Sequence, residues 1–211
     1  MESMVPGLRD PIETNLRGFT RVSSAASLKP AAVAIVVMEG SGTPSVPIFQ
    51  RTSDMSRHAG QMALPGGRLH QGESAAECAM RELQEELGLS VNPQDVVGLL
   101  DDFDTRSGFT ITPVVIVCSA QPAALQPSKF EVAQLFVIAI PELRAAVSKA
   151  RPGEAFSLKL ERAFSKSHPG RARALEVFAP TAAILYQFSE VALDGRLARV
   201  TDFYQPPFTH R

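Results

Sequence analysis

The chain has 211 residues, 45% of them hydrophobic and 20% charged, with a formal net charge of −1. That length and apolar share suit one globular domain with a sizeable core, and the near-neutral balance excludes an overall basic field for nucleic acid or an acidic membrane surface. No uninterrupted apolar run of about 18 residues is present to span a membrane, and the two cysteines, Cys78 and Cys118, are too few and too far apart for a disulfide scaffold or a paired metal site, so both are expected as buried free thiols.

Residues 1–30 are polar and punctuated by proline, and they are read as an N-terminal extension with a short helix over 11–19 and a linker over 23–27. No apolar leader segment precedes a cleavage site. Arg9, Arg17 and Arg21 among serines have some transit-peptide character, which Glu2, Asp10 and Glu13 oppose, so the default expectation is a cytoplasmic protein. The main domain is read over 31–195, with 196–211 as a tail.

Ala31 to Met38 is a continuous apolar run between Pro30 and Gly40, of the length of a buried strand. A second strand is expected over Pro47–Arg51, and a loop over Ser53–Gly60 carries Arg57 and His58. Glu73 to Leu87 has the clearest helical pattern: Ala76, Ala79, Met80, Leu83 and Leu87 share one face, and Gly88 follows as a stop. Strands are expected over Val96–Phe103 and Thr110–Cys118, a loop over Gln121–Lys129, and a strand over Leu135–Ile140. Pro141 opens a helix to Ser148. Two more strands (156–164 and 174–178) precede a helix over Pro180–Val191. This mixture implies a single α+β or α/β domain.

Helical geometry places Glu82, Glu85 and Glu86 within an arc of roughly 100°, beside the apolar face. Like charges at such spacing repel and destabilise a bare helix. A hard divalent cation, Mg²⁺ or Mn²⁺, removes the conflict, because both prefer oxygen ligands and bind carboxylates together with substrate phosphates. Taken alone, the three glutamates read first as a solvated acidic face, since Glu is a good helix former.

The surrounding residues weigh against that plain reading. Gly67, Glu73, Arg81, Glu82, Leu83, Glu85, Glu86, Gly88 and Leu89 match every fixed position of the Nudix box, and the chain resembles the Nudix hydrolase family. The resemblance implies an α+β Nudix fold, an α/β/α sandwich with a mixed sheet between helices and a loop–helix–loop box. It also assigns roles. Glu82, Glu85 and Glu86 match the metal-binding positions, and Gly66 and Gly67 match a turn whose backbone carbonyl joins the metal shell. Arg81 matches an arginine that ties the box together by pairing with an acid. Glu73 is the family partner, while Glu77, one turn before Arg81, is the alternative from helix spacing.

The approach to the box narrows the substrate. Arg51-Thr52, then Arg57 to Gly67 with Gly60-Gln61 and Pro65-Gly66-Gly67, resemble the coenzyme A diphosphatase branch. Thr52, Ser56 and Leu64 depart from that branch's pattern. Arg51 and Arg57, with Gly60 and Gly66, are candidate substrate-binding residues, because guanidinium groups grip phosphate oxygens in pairs; the plainer reading of the arginines is surface charge. Glu131 precedes a strand where Nudix enzymes place a further metal ligand or base, or it is an ordinary loop glutamate. Asp101, Asp102 and Asp104 either line the cleft or form an acidic turn.

The expected activity is metal-dependent hydrolysis of a small nucleoside diphosphate derivative. Coenzyme A or acyl-coenzyme A is favoured, giving 3′,5′-ADP and (acyl-)4′-phosphopantetheine. ADP-ribose, a dinucleotide or a nucleotide sugar is the alternative substrate, and a non-catalytic ligand sensor the alternative class. No nucleic-acid or membrane partner is expected, and a homodimer is left open.

Overall fold

The computed structural model describes residues 7–40, 42–52, 60–151, 156–165 and 172–203. Its sheet is ordered around β1 (Lys29–Met38), which runs parallel to β7 (Phe109–Cys118) from the pair Lys29/Phe109 to the pair Met38/Cys118. The other pairings are antiparallel. On one side of β1 lie β2 (Ser45–Arg51), β8 (Val132–Ala139), β9 (Ser157–Ser165) and β10 (Ala172–Phe178). Beyond β7 lies β5 (Val96–Leu99). Three short strands attach at the edges of this path: β3 (Met62–Ala63) on β2, β4 (Gly66–Arg68) on β1, and β6 (Phe103–Asp104) on β7.

Side-chain alternation along β1 explains the layering. Ala32, Ala34, Val36 and Met38 face one way and pack with Cys78, Ala79, Leu83 and Leu87 of α2 (Ala75–Leu87). Ile35 and Val37 face the other way, into a second cluster that contains residues of α1 (Arg9–Gly18), α3 (Ile140–Lys149) and α4 (Thr181–Gln187). The α+β expectation of a mixed sheet between helices is met. No helix of the described residues is long and apolar enough to cross a membrane. Cys78 and Cys118 are free and buried, as expected.

The expected 11–19 helix is α1, and its Ile12 and Leu16 are buried in the second cluster. Ile12→Ala should therefore cost roughly 2–4 kcal/mol in denaturant-monitored unfolding. A loss below about 1 kcal/mol, the level of an ordinary surface change, would show that α1 contributes little to the core.

The segment expected as one strand over 96–103 is two. Leu100 to Asp102 separate them: Leu100 is buried in the core, and the side chains of Asp101 and Asp102 are held by distant partners. Asp101 is buried, paired with Arg199 at 3.0 Å and bonded by the Gln187 amide at 2.7 Å. Asp102 pairs with Arg21 and accepts from Thr112. The aspartates are thus a structural junction: Asp101 joins the sheet to α4 and the C-terminal segment, and Asp102 joins it to the chain before β1. The expected 180–191 helix is α-helical only to Gln187 and continues as a π-turn over Phe188–Leu193.

Candidate active site

The box begins where β4 meets β1, with Gly66 opposite Val33 and Gly67 opposite Ala32. A Cβ on Gly66 would stand 2.3 Å from the Ala32 carbonyl oxygen, and one on Gly67 would stand 2.1 Å from Glu82 Oε1. Backbone crowding requires glycine at Gly66, whereas at Gly67 an added methyl would push the Glu82 carboxylate aside. The helix that follows is closed at both ends by local chemistry. Ser74 and Glu77 form a reciprocal capping box, and Gly88 ends the helix at φ 65°. Glu77 is thereby engaged at the N-cap, which removes it as the partner of Arg81.

Arg81 pairs instead with Glu73, through Nε at 2.8 Å and Nη2 at 3.1 Å. Its Nη1 reaches Glu82 at 2.7 Å and Glu85 at 3.3 Å, and Nη2 also donates to the Arg68 carbonyl at 3.1 Å. One guanidinium thus ties the start of the helix, two of its acids and β4 together. The hydrogen bond from Arg81 is the main reason the Glu73 carboxyl is held down at about 2. A lowered carboxylate pKa adds stability above the unfolded value, near 4.5, that is lost as pH falls towards 2. The stability gap between wild type and Glu73→Gln should therefore be largest near neutral pH and shrink between about pH 4.5 and 2, measured by thermal unfolding. A gap independent of pH would rule out the charged pair as its source.

The three box acids occupy different environments. Glu86 is 3% exposed, and its Oε2 accepts the Gly66 N–H at 2.9 Å while Arg51 Nη1 stands 3.6 Å from Oε1. Burial pushes the Glu86 carboxyl up to about 8. Arg51 and the Gly66 N–H oppose that rise, and the charges of Glu82 and Glu131 add to it. Glu131 therefore lies within electrostatic reach of Glu86. The Glu82 side chain is largely covered, whereas that of Glu85 is 56% exposed. Among the described residues, no three His, Cys, Asp or Glu side chains converge as they stand on a point that could hold a metal. The donor chemistry nonetheless fits a hard cation. It consists only of oxygens, includes a buried carboxylate whose charged form is disfavoured, and sits against Gly66, where backbone leaves no room for a side chain, and Gly67, whose bare Cα lets the Glu82 carboxylate approach.

Gly67→Ala tests that contact. The added methyl must displace the Glu82 carboxylate or part α2 from β4, so activity should fall by at least about 100-fold, as for displaced catalytic groups. A Gly67→Ala enzyme with wild-type turnover would show that the close approach is unnecessary.

A cavity of about 440 Å³ opens beside the box. Arg51, Gly60 and Gly67 line it, as do Phe109, Phe178 and Thr181, so strands and a helix distant in sequence share its wall. Gly60 has φ 72°, and its carbonyl accepts from Gln50 at 3.0 Å. Arg57 and His58 lie outside the described residues. Arg68 also lines the cavity and was not singled out by sequence, because it fills an unconstrained position of the box. Its only local signal was adjacency to Gly67.

A family model described as NUDIX domain matches residues 28–159. The chain is 40% identical over 101 residues to an uncharacterized Nudix hydrolase, NudL, of Pectobacterium atrosepticum, covering 47% of this chain and 52% of the relative. It is 34% identical over 113 residues to the protein of that name from Citrobacter koseri, covering 53% and 58%. It thus spans a little over half the length of these relatives. Among solved structures it is similar in fold to a MutT/nudix family protein from Enterococcus faecalis, with a TM-score of 0.51 at 14% identity, covering 89% of this chain and 75% of that one.

Proposed function

The chain belongs to the Nudix hydrolase family, and on that premise we propose that it is a metal-dependent hydrolase of a diphosphate linkage in a nucleoside diphosphate derivative, with coenzyme A or acyl-coenzyme A as substrate. The observation that carries the reading is the buried Glu86, bonded to the Gly66 N–H and faced by Arg51, which itself lines a cavity of about 440 Å³. The Arg51-to-Gly67 resemblance to the coenzyme A branch supports the choice of substrate.

Glu82, Glu85 and Glu86, with the Gly66 carbonyl, would hold Mg²⁺ or Mn²⁺. When bound, the cation supplies Lewis-acid neutralisation of the diphosphate and makes water more acidic. Arg51 and Arg57 grip phosphate oxygens through paired N–H groups. Glu131 takes the proton of the attacking water as general base. Arg81 orients Glu82 and Glu85 from behind. The apolar wall of Phe109, Ile111 and Phe178 excludes water from the nucleoside or pantetheine arm.

Incubating the protein with coenzyme A and Mn²⁺ and separating the products should yield 3′,5′-ADP and 4′-phosphopantetheine. Faster cleavage of ADP-ribose, a dinucleotide or a nucleotide sugar would overturn the coenzyme A assignment. Inertness towards all of them would favour a ligand sensor.

A further inference from the structure

Three arginines stand around the box, and two are already engaged. Arg81 is shared among Glu73, Glu82 and Glu85, and Arg51 is paired with Glu86. Arg68 differs. Its backbone carbonyl serves Arg81, but its guanidinium lies over the Phe109 ring, 4.9 Å from the centroid, on the wall of the cavity. Among the described residues, no carboxylate or carbonyl partners that guanidinium. The aromatic face orients a guanidinium without consuming its N–H donors. Ser107 and Thr105, whose hydroxyls lie 3.0 Å apart, line the same cavity, and the Thr105 hydroxyl donates to the Phe109 carbonyl at 3.0 Å, which helps to fix the Phe109 backbone.

We infer that Arg68 is a phosphate-binding, specificity-determining residue of this cavity, held in place by Phe109. The inference rests on the diphosphate reading of the site. The shared ligand chemistry is a phosphoryl oxygen, whose source is either the 5′ phosphate chain or a separate phosphate on the ribose. An arginine whose donors no carboxylate occupies favours an anion beside it; Arg51 lines the same wall, and Glu176, also on the wall, restricts that anion to the Arg68 side of the cavity.

Calorimetric titration of the full chain with 5′-ADP and with 3′,5′-ADP tests this. The proteins compared are wild type, Arg68→Ala, Arg68→Lys and Phe109→Leu. Losing charged hydrogen bonds should weaken binding by about tenfold or more in Arg68→Ala. Arg68→Lys should fall between, because it keeps the charge without the planar fork. Phe109→Leu should weaken binding while the Arg68 charge remains. A loss confined to 3′,5′-ADP assigns Arg68 to the ribose phosphate, and a loss that includes 5′-ADP assigns it to the 5′ chain. Arg68→Ala binding both nucleotides as wild type does, whether tightly or not at all, overturns the inference. Circular dichroism checks folding, which the exposed Arg68 side chain is not expected to control. If Arg68-dependent binding is seen but wild type cleaves no diphosphate, the hydrolase reading falls and the binding assignment stands.

Discussion

Glu86→Gln is expected to lower turnover of the diphosphate substrate on the order of 10³-fold, the scale seen when a group stabilising transition-state charge is removed. The substitution is nearly isosteric. Its amide oxygen can still accept the Gly66 N–H that Glu86 Oε2 now accepts at 2.9 Å. What disappears is a negative charge that burial already disfavours and Arg51 partly offsets. Folding should therefore survive, with unfolding temperature within a few degrees of wild type, while affinity for Mn²⁺ falls. Calorimetry with Mn²⁺ alone separates the two effects. An Ala variant would confuse them, because it leaves a buried cavity and an unsatisfied N–H. Wild-type turnover in Glu86→Gln would sink the metal assignment for this residue, whatever happened to stability.

The second large effect belongs to Arg81, which acts through other residues. Arg81→Ala strips Glu73 of two hydrogen bonds and leaves Glu73, Glu82 and Glu85 facing one another without a cation. The guanidinium side chain is 22% exposed, so the loss should sit towards the lower end for broken charge networks, about 2–3 kcal/mol. For a chain of this size that corresponds to a fall of roughly 5–10 °C in unfolding temperature. Activity should drop as well, because Glu82 and Glu85 lose the group that aims them. Arg81→Lys should recover part of the stability and less of the activity, since an ammonium cannot make the fork to Glu73 while also reaching Glu82. If added Mn²⁺ restored full turnover to Arg81→Ala at wild-type stability, Arg81 would have no positioning role.

Much of the site could be read from sequence because its determinants are local. The spacing of Ala79, Leu83 and Leu87 sets a helix face and Gly88 ends it with a left-handed residue, whereas the Ser74–Glu77 cap, which starts the helix at Ala75 rather than at the expected Glu73, was missed. The sheet was legible for a similar reason. β1 and β7 are apolar runs bounded by turn residues, and the expected strand ends fall within two residues of those observed. Where sequence reading failed, a distant partner intervened. Val96 to Phe103 has the composition of one strand, but Arg199, 98 positions away, draws Asp101 out of the ladder. Helix spacing allowed Glu77 as the partner of Arg81, but the N-cap had already engaged it.

Sequence alone determined the chemistry on offer: an all-oxygen donor set on one helix, preceded by two glycines and followed by a stop, because each is a property of residues within a few turns of one another. Tertiary structure decided how the acids differ. Packing of α2 on β1 and β4 buries Glu86, covers Glu82 and leaves Glu85 in solvent, a distinction invisible in three glutamates along a helix. It also decided the cavity, whose wall joins Arg51, Arg68, Phe109 and Phe178 from four strands. Burial and juxtaposition of this kind depend on which faces meet, and those are set by the whole sheet rather than by any one segment.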